Sequence, residues 1–303
     1  MNTSKFNEEV FSQISEDLKN EVKQTLSKTG LDWDVVQEEL VSVTGLKTPN
    51  SATFRSDSNS WLGTMSKKYK PLQNSELVLT LIAAASKFNL KISSGGVNYD
   101  GKRVYLNLNL EDKYVGDSRI KRFISVVNYH NGLGSVNFGS YYKIEEMGPN
   151  GEVVNKNFFK LNSEAGRFRH SSNLNEKIAV TIENLFASIK EDEGVIETFN
   201  KMAEIKVNDE MLKEIIFKCY GIDPGDPTQT LSTRALNKFK QVDSILKNEV
   251  QKNQASAWGL FNGVLSSTEI LTPKNSQTKD FYMAGNGYNI NLKAYDIISN
   301  YLK

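Results

Sequence analysis

The chain has 303 residues, 39% of them hydrophobic and 24% charged, enough for a substantial core and unlike a disordered composition. A formal net charge of +1 excludes a molecule that holds nucleic acid by bulk charge alone. One cysteine and two histidines exclude an internal disulfide and a Cys/His zinc site.

The first residues, Met1 to Asn20, are acidic and amphipathic and lack the cationic-then-apolar order of a secretion signal. No apolar run approaches the about 18–20 residues of a membrane span, so a cytoplasmic protein with no membrane association is expected. Phe6 to Leu26 carries Val10, Phe11, Ile14, Leu18, Val22 and Leu26 at helical spacing, with Gly30 as the stop. Trp33 to Tyr69 follows strand-and-turn grammar. Short runs at Glu39 to Val43, Ala52 to Arg55 and Trp61 to Met65 are parted by Gly, Pro, Asn and Ser, and Arg55 to Trp61 reads as a hairpin turn. Asn74 or Ser75 caps a helix to Phe88 with Leu77, Leu81, Ile82, Ala85 and Phe88 as its buried stripe.

Lys102 to Leu110 alternates strictly. Val104, Leu106, Leu108 and Leu110 face one way; Arg103, Tyr105, Asn107 and Asn109 face the other. Arg119 to Tyr142 reads as a β-hairpin entered by Arg119, Lys121 and Arg122, turned at Gly132 to Gly134 and closed by Tyr141 and Tyr142. Gly148-Pro-Asn-Gly151 is a turn leading to a strand or loop through Leu161. A long helix is expected from Ser171–Asn175 to Ile189. A second helical tract runs from Val195 to Tyr220, broken near Asn208, which caps its second half. Gly221 to Thr230 reads as a boundary loop, Leu231 to Gln251 as a helix, Ala257 to Leu271 as a buried helix and Ile290 to Leu302 as the last one. The segments predict an N-terminal helix (1–30), an α+β core (31–190) and a mainly helical C-terminal region (191–303). The fold class is α+β, a mostly antiparallel sheet with packed helices, β-β-β-α-like, with a helical C-terminal part.

The sign of charge is uneven. Lys102 to Arg169 holds 11 Lys/Arg against 7 Asp/Glu, whereas Glu176 to Lys218 holds 6 against 10, which points an anionic partner to the middle of the chain. The candidate surface is Arg103, Tyr105, Arg119, Lys121, Arg122, Tyr129, His130, Tyr141, Tyr142 and Lys143. Cations there neutralise phosphates and aromatics support bases. The same residues also suit an ordinary half-buried sheet, where tyrosine is at home. Arg167 and Arg169, with His170, precede the long helix, whose Ser171–Asn173 end presents backbone N–H groups to a phosphate or is simply capped. Glu145-Glu146 reads as a metal or acid/base pair or as solvated surface. Cys219 sits among apolar residues as a buried thiol, with a Cys–His nucleophilic pair as the alternative. No Gly-Lys-Ser/Thr completes a P-loop and no His-Glu-x-x-His exists, so no catalytic residues, cofactor or metal are expected and the chain does not read as an enzyme.

Several fragments together resemble a known family. They are Trp33-Asp-Val35, Arg55-Ser-Asp57, Leu62-Gly63, Tyr69-Lys-Pro71-Leu-Gln73-Asn74, Asn128-Tyr-His130-Asn-Gly132, Arg169-His170, Ala257-Trp258-Gly259-Leu-Phe-Asn262 and Gly285-Asn-Gly287. In this order they resemble domain-of-unknown-function family 932, found in phage- and plasmid-associated proteins. The chain departs from its pattern at Ser140 to Glu146, where the family usually carries an Arg-Val-Val-Cys-x-Asn-Thr-like segment. The order helix, strand meander, long helix is also similar to the core of single-strand annealing recombinases of the RecT/Redβ kind, a likeness of topology alone. The resemblance implies a phage- or plasmid-type protein that binds or anneals single-stranded DNA in recombination or replication and self-associates. Arg119, Lys121, Arg122, Arg167 and Arg169 would contact phosphate, while Tyr105, Tyr129 and Tyr141 stack or line the groove. The alternative is an interaction or counter-defence protein that binds a host or phage protein through the hairpin or the acidic helices.

Overall fold

A computed structural model describes residues 14–132, 136–168, 174–222, 232–271 and 286–302, with side chains left out at 162–168, 174–175, 234, 269–271 and 286. The fold is α+β with two antiparallel sheets. Strands β1 (Val35–Val41), β2 (Lys47–Arg55) and β3 (Trp61–Ser66) form the first, in that order. The second has the order β4 (Ile92–Asn98), β5 (Arg103–Asn109), β7 (Ser118–Tyr129), β8 (Val136–Met147) and β9 (Val153–Phe168), with β6 (Lys113–Val115) also paired to β7. The described helices are α1 (Glu16–Thr29), α2 (Asn74–Ala85), α3 (Leu174–Glu204), α4 (Asp209–Tyr220), α5 (Thr233–Lys252), α6 (Ala257–Leu271) and α7 (Asn286–Asn300).

The chain divides into two compact units. The first is Met1–Leu110, Phe123–Ser140 and Asn162–Lys190; the second is Glu111–Arg122, Tyr141–Leu161 and Glu191–Lys303. The expected contiguous core of 31–190 therefore does not match this division. Parts of β7, β8 and β9 cluster with the C-terminal helices, and α1 belongs to the first unit, packed on α2 and β4.

In the first unit, α1 starts at Ser15, whose Oγ accepts from Leu18 N, and stops at a left-handed Gly30. Gln73 and Glu76 form a capping box on α2. Ten of the twelve residues of α2 are buried, so it is the central helix of this unit and not a surface one. It packs with Val22, Leu31, Leu106, Leu108 and Ile124 in one cluster, each such side chain contributing roughly 1.5–3 kcal/mol.

The second unit is held by aromatics. Phe199 lies 4.9 Å from Trp258, and Phe159 lies 5.2 Å from both Phe261 and Tyr295. Helices α5 and α6 approach closely at Gly259, where a β-carbon would come 2.7 Å from Glu249 O. Helix α4 begins at Asn208, whose Oδ1 accepts from Met211 N, as the sequence predicts.

One expectation fails in α3. The two predicted helices, ending at Ile189 and starting at Val195, are one helix of 31 residues. Its buried line is Leu185, Ser188, Asp192, Val195, Phe199 and Met202, all at most 3% exposed and spaced three or four apart. Ser188 and Asp192 interrupt the apolar pattern without interrupting the buried face.

Candidate nucleic-acid interface

In the first unit the register of β4 and β5 places Asn98 opposite Arg103 and Gly96 opposite Tyr105, and β7 places Tyr129 opposite Arg103. Tyr105 lies over Gly96, where a β-carbon would come within 2.8 Å of the tyrosine hydroxyl oxygen. The β4–β5 connection is unusual. Lys102 N donates to Tyr99 O at 3.1 Å around Asp100 and Gly101, which take φ of 56° and 99° as an Asp-Gly turn of this hand does, and Tyr99 just before them is also held at a positive φ of 53°. A bulky aromatic held there is an outlier costing about 1–3 kcal/mol. The result is a Tyr99 side chain that is 52% exposed, with the Arg103 guanidinium 5.1 Å from its ring centre. Beside it, Lys102 Nζ lies 4.6 Å from the ring of Trp61, which is also 52% exposed. No ion pair engages Lys102 among the described residues. Two half-exposed aromatics thus each carry a cation from consecutive residues of the chain, Lys102 on Trp61 and Arg103 on Tyr99.

The basic hairpin predicted from the sequence behaves differently. In the second unit Tyr141 stacks on Phe158, centroids 5.9 Å apart and planes 10° from parallel, while Tyr142 stacks on Phe159 at 5.8 Å. Neighbouring residues of a strand face opposite ways, so one pair is half-buried on the outer face and the other is core. Around the outer pair the cations are largely matched by carboxylates. Lys143 and Lys121 both pair with Glu145, the latter at 3.5 Å, and Arg119 Nε donates to Asp112 at 2.8 Å. Burial would raise the Glu145 carboxyl, but the Lys143 hydrogen bond and the two lysine charges outweigh it and hold it below the ordinary value. The Asp112 hydrogen bond raises Arg119 further.

Two expected contact residues are buried. Arg122 falls on the inner face, paired with Asp192 and donating from Nε to Glu111 O at 2.7 Å. Burial pushes the Asp192 carboxyl up although Arg122 pulls it down. His130 is 0% exposed, with Nε2 2.9 Å from Asn74 Oδ1 and its ring edge-on to Trp33 at 5.4 Å. Arg167 lies on β9 with its side chain not described; Arg169, His170 and the Ser171–Asn173 helix entrance lie outside the described residues. Burial pushes the Cys219 thiol up to about 12, so the thiolate form is disfavoured there. Among the described residues no three His, Cys, Asp or Glu side chains gather as a metal site, and no helix is long and apolar enough to cross a membrane.

The fragments around Trp33-Val35, Arg55-Asp57, Gln73-Asn74 and His130 meet in the first unit, whereas Ala257 to Asn262 lies in the second and Arg169, His170 and Gly285 lie outside the described residues. Gln73 brackets Val35, accepting from its N at 2.8 Å and donating to its O at 3.0 Å. Asn74 Nδ2 donates to Leu31 O and Trp33 O, at 3.2 and 3.0 Å. Arg55 covers the Trp33 ring at 4.4 Å while pairing with Asp57. A β-carbon on Gly63 would come 2.9 Å from the Asn131 backbone, so that position accepts only glycine without a shift. These residues build the frame from which Trp61 and the β4–β5 turn project. Sequence reasoning missed Trp61, Tyr99 and Lys102, although Tyr99 to Arg103 shows an aromatic and two cations around an Asp-Gly turn.

The family model "Domain of unknown function (DUF932)" matches residues 61–278. That span contains the Gln73-Asn74, His130 and Ala257 to Asn262 fragments; Trp33 and Arg55 to Asp57 precede it. No curated protein and no solved structure matches the chain.

Proposed function

The chain belongs to the DUF932 family, and we propose that it is a non-enzymatic DNA-binding protein that holds single strands through Trp61, Tyr99, Lys102 and Arg103. The observation that carries this is the pair of half-exposed rings, each with a cation against it. Bases stack on such rings at about 1–3 kcal/mol each, with little sequence preference, and the cations then serve the phosphates. Tyr105 and Tyr129 extend the same sheet face, and Tyr141 with Lys121 and Lys143 is a subsidiary surface in the second unit. The setting we infer, from the family resemblance, is strand binding or annealing in recombination or replication of phage or plasmid DNA, by a self-associating cytoplasmic protein.

The test is fluorescence anisotropy of a labelled single-stranded oligonucleotide across salt concentrations. Trp61→Ala and Tyr99→Ala are each expected to weaken binding by about 5- to 150-fold, the equivalent of one lost stack. The wild-type affinity should fall steeply with salt. Absence of binding by wild type at low salt, or wild-type binding by a folded double variant, refutes the proposal.

A second reading rests on the β1–β2 hairpin tip, where Val41, Val43 and Leu46 are 55%, 107% and 71% exposed. Such a tip suits an interaction protein of a mobile element that contacts a host protein. Its binding would be weakly dependent on salt and lost in a Val43→Asp/Leu46→Asp variant that still binds DNA.

A further inference from the structure

The second unit holds a cavity of about 10 Å³, room for a single water-sized particle, whose polar lining is almost all oxygen-bearing: Glu146, Asn155, Asn157, Glu249, Asn253 and Asn262. These residues come from four elements. Glu146 is near the end of β8, Asn155 and Asn157 are alternate residues of β9, Glu249 and Asn253 are a turn apart at the end of α5, and Asn262 is on α6. Glu249, Asn157 and Asn262 are 7%, 6% and 4% exposed.

Asn262 is the informative one. Its Nδ2 donates to Trp258 O at 3.2 Å, yet its Oδ1, on a residue lining the cavity, accepts no hydrogen bond. A buried amide oxygen without a donor costs about 1–3 kcal/mol unless something else fills that role. Asn157 Oδ1 is partly satisfied, accepting from Ser266 Oγ at 3.1 Å. Charge is also out of balance. The two carboxylates share one cation, Lys252, 3.9 Å from Glu146 and 3.3 Å from Glu249. Lys252 is 55% exposed and tethered by a flexible stem, so it can withdraw into solvent. With no sulfur or imidazole donor, soft and borderline metals are disfavoured; carboxylate and amide oxygens suit Ca²⁺ or Mg²⁺.

We propose that this cavity binds one hard divalent cation, with Glu146 and Glu249 as charged ligands and Asn262 Oδ1 as a neutral one. The cation displaces Lys252 and joins β8, α5 and α6. This site is independent of the DNA-binding reading.

The test titrates chelator-treated full-length protein with CaCl₂ and with MgCl₂, by calorimetry and by melting temperature. Saturable binding of one ion per chain is expected, with a rise in melting temperature that chelator reverses. Glu146→Gln, a change at the exposed rim, should weaken binding at least about ten-fold without lowering the metal-free melting temperature, because affinity follows ligand charge. Lys252→Met should tighten binding by removing the competing cation, and Glu193→Gln, on an exposed helix face, should leave it unchanged. The inference is overturned if wild type shows neither saturable heat nor a melting shift at millimolar ion. It is overturned equally if Glu146→Gln binds like wild type, or if Glu193→Gln weakens binding as much.

Discussion

Asn74 holds three segments at once, and its removal should be costly. In Asn74→Ala the Leu31 carbonyl keeps the Trp33 N–H as a donor at 2.8 Å. The Trp33 carbonyl loses its 3.0 Å bond and His130 Nε2 its 2.9 Å partner. Losing these two buried hydrogen bonds at about 1–3 kcal/mol each gives about 2–6 kcal/mol. Alanine's better helix propensity returns a few tenths of a kcal/mol, and a water entering the vacated space softens the loss, so about 3 kcal/mol is expected. On a body of this size that is a fall in melting temperature of roughly 6–12 °C. Urea unfolding followed by tryptophan fluorescence measures it, since Trp33 packs edge-on against His130. Glu38→Gln, on an exposed position of β1, is the control and should stay within about 0.5 kcal/mol. If Asn74→Ala also stays within about 0.5 kcal/mol, the Asn74 hydrogen bonds exchange freely with water and do not frame Trp61 and Tyr99.

Two further outcomes follow from packing and charge. Gly259→Ala should destabilise by about 1–3 kcal/mol, because the new β-carbon would sit 2.7 Å from Glu249 O and force α5 from α6; an unchanged urea midpoint would contradict the close approach. The Glu145 carboxyl is held below its ordinary 4.5, so it contributes stability above that value, lost as pH falls through the lower folded value. Lys121→Met/Lys143→Met removes what opposes burial, so the carboxyl rises. The variant should be less stable than wild type at neutral pH, and the gap should shrink as pH falls below the ordinary carboxylate range. A gap independent of pH in thermal melts would show that the lysines act by packing alone.

Local order was legible wherever a periodic apolar pattern or a cap decided it. Alternation from Lys102 to Leu110 set which side chains of β5 are core, Asn208 set the start of α4, and Ala257 to Leu271 defined α6 to the residue. Composition and the fragments from Leu62-Gly63 to Asn262 were sufficient for the α+β class and the family. What the chain order left open was which residues meet. Arg119, Lys121 and Arg122 are one basic cluster in sequence, but alternation turns Arg122 inward, and only folding supplies Asp192, 70 residues later, as its partner. The same Asp192 concealed the continuity of α3, since a buried charge reads as an exposed one until its partner is known. Trp61 and Lys102 are 41 residues apart, and Glu146 and Asn262 more than a hundred. Periodicity sorts residues between faces over one turn or one pleat, whereas a site assembles from residues that tertiary packing alone brings within a few ångströms.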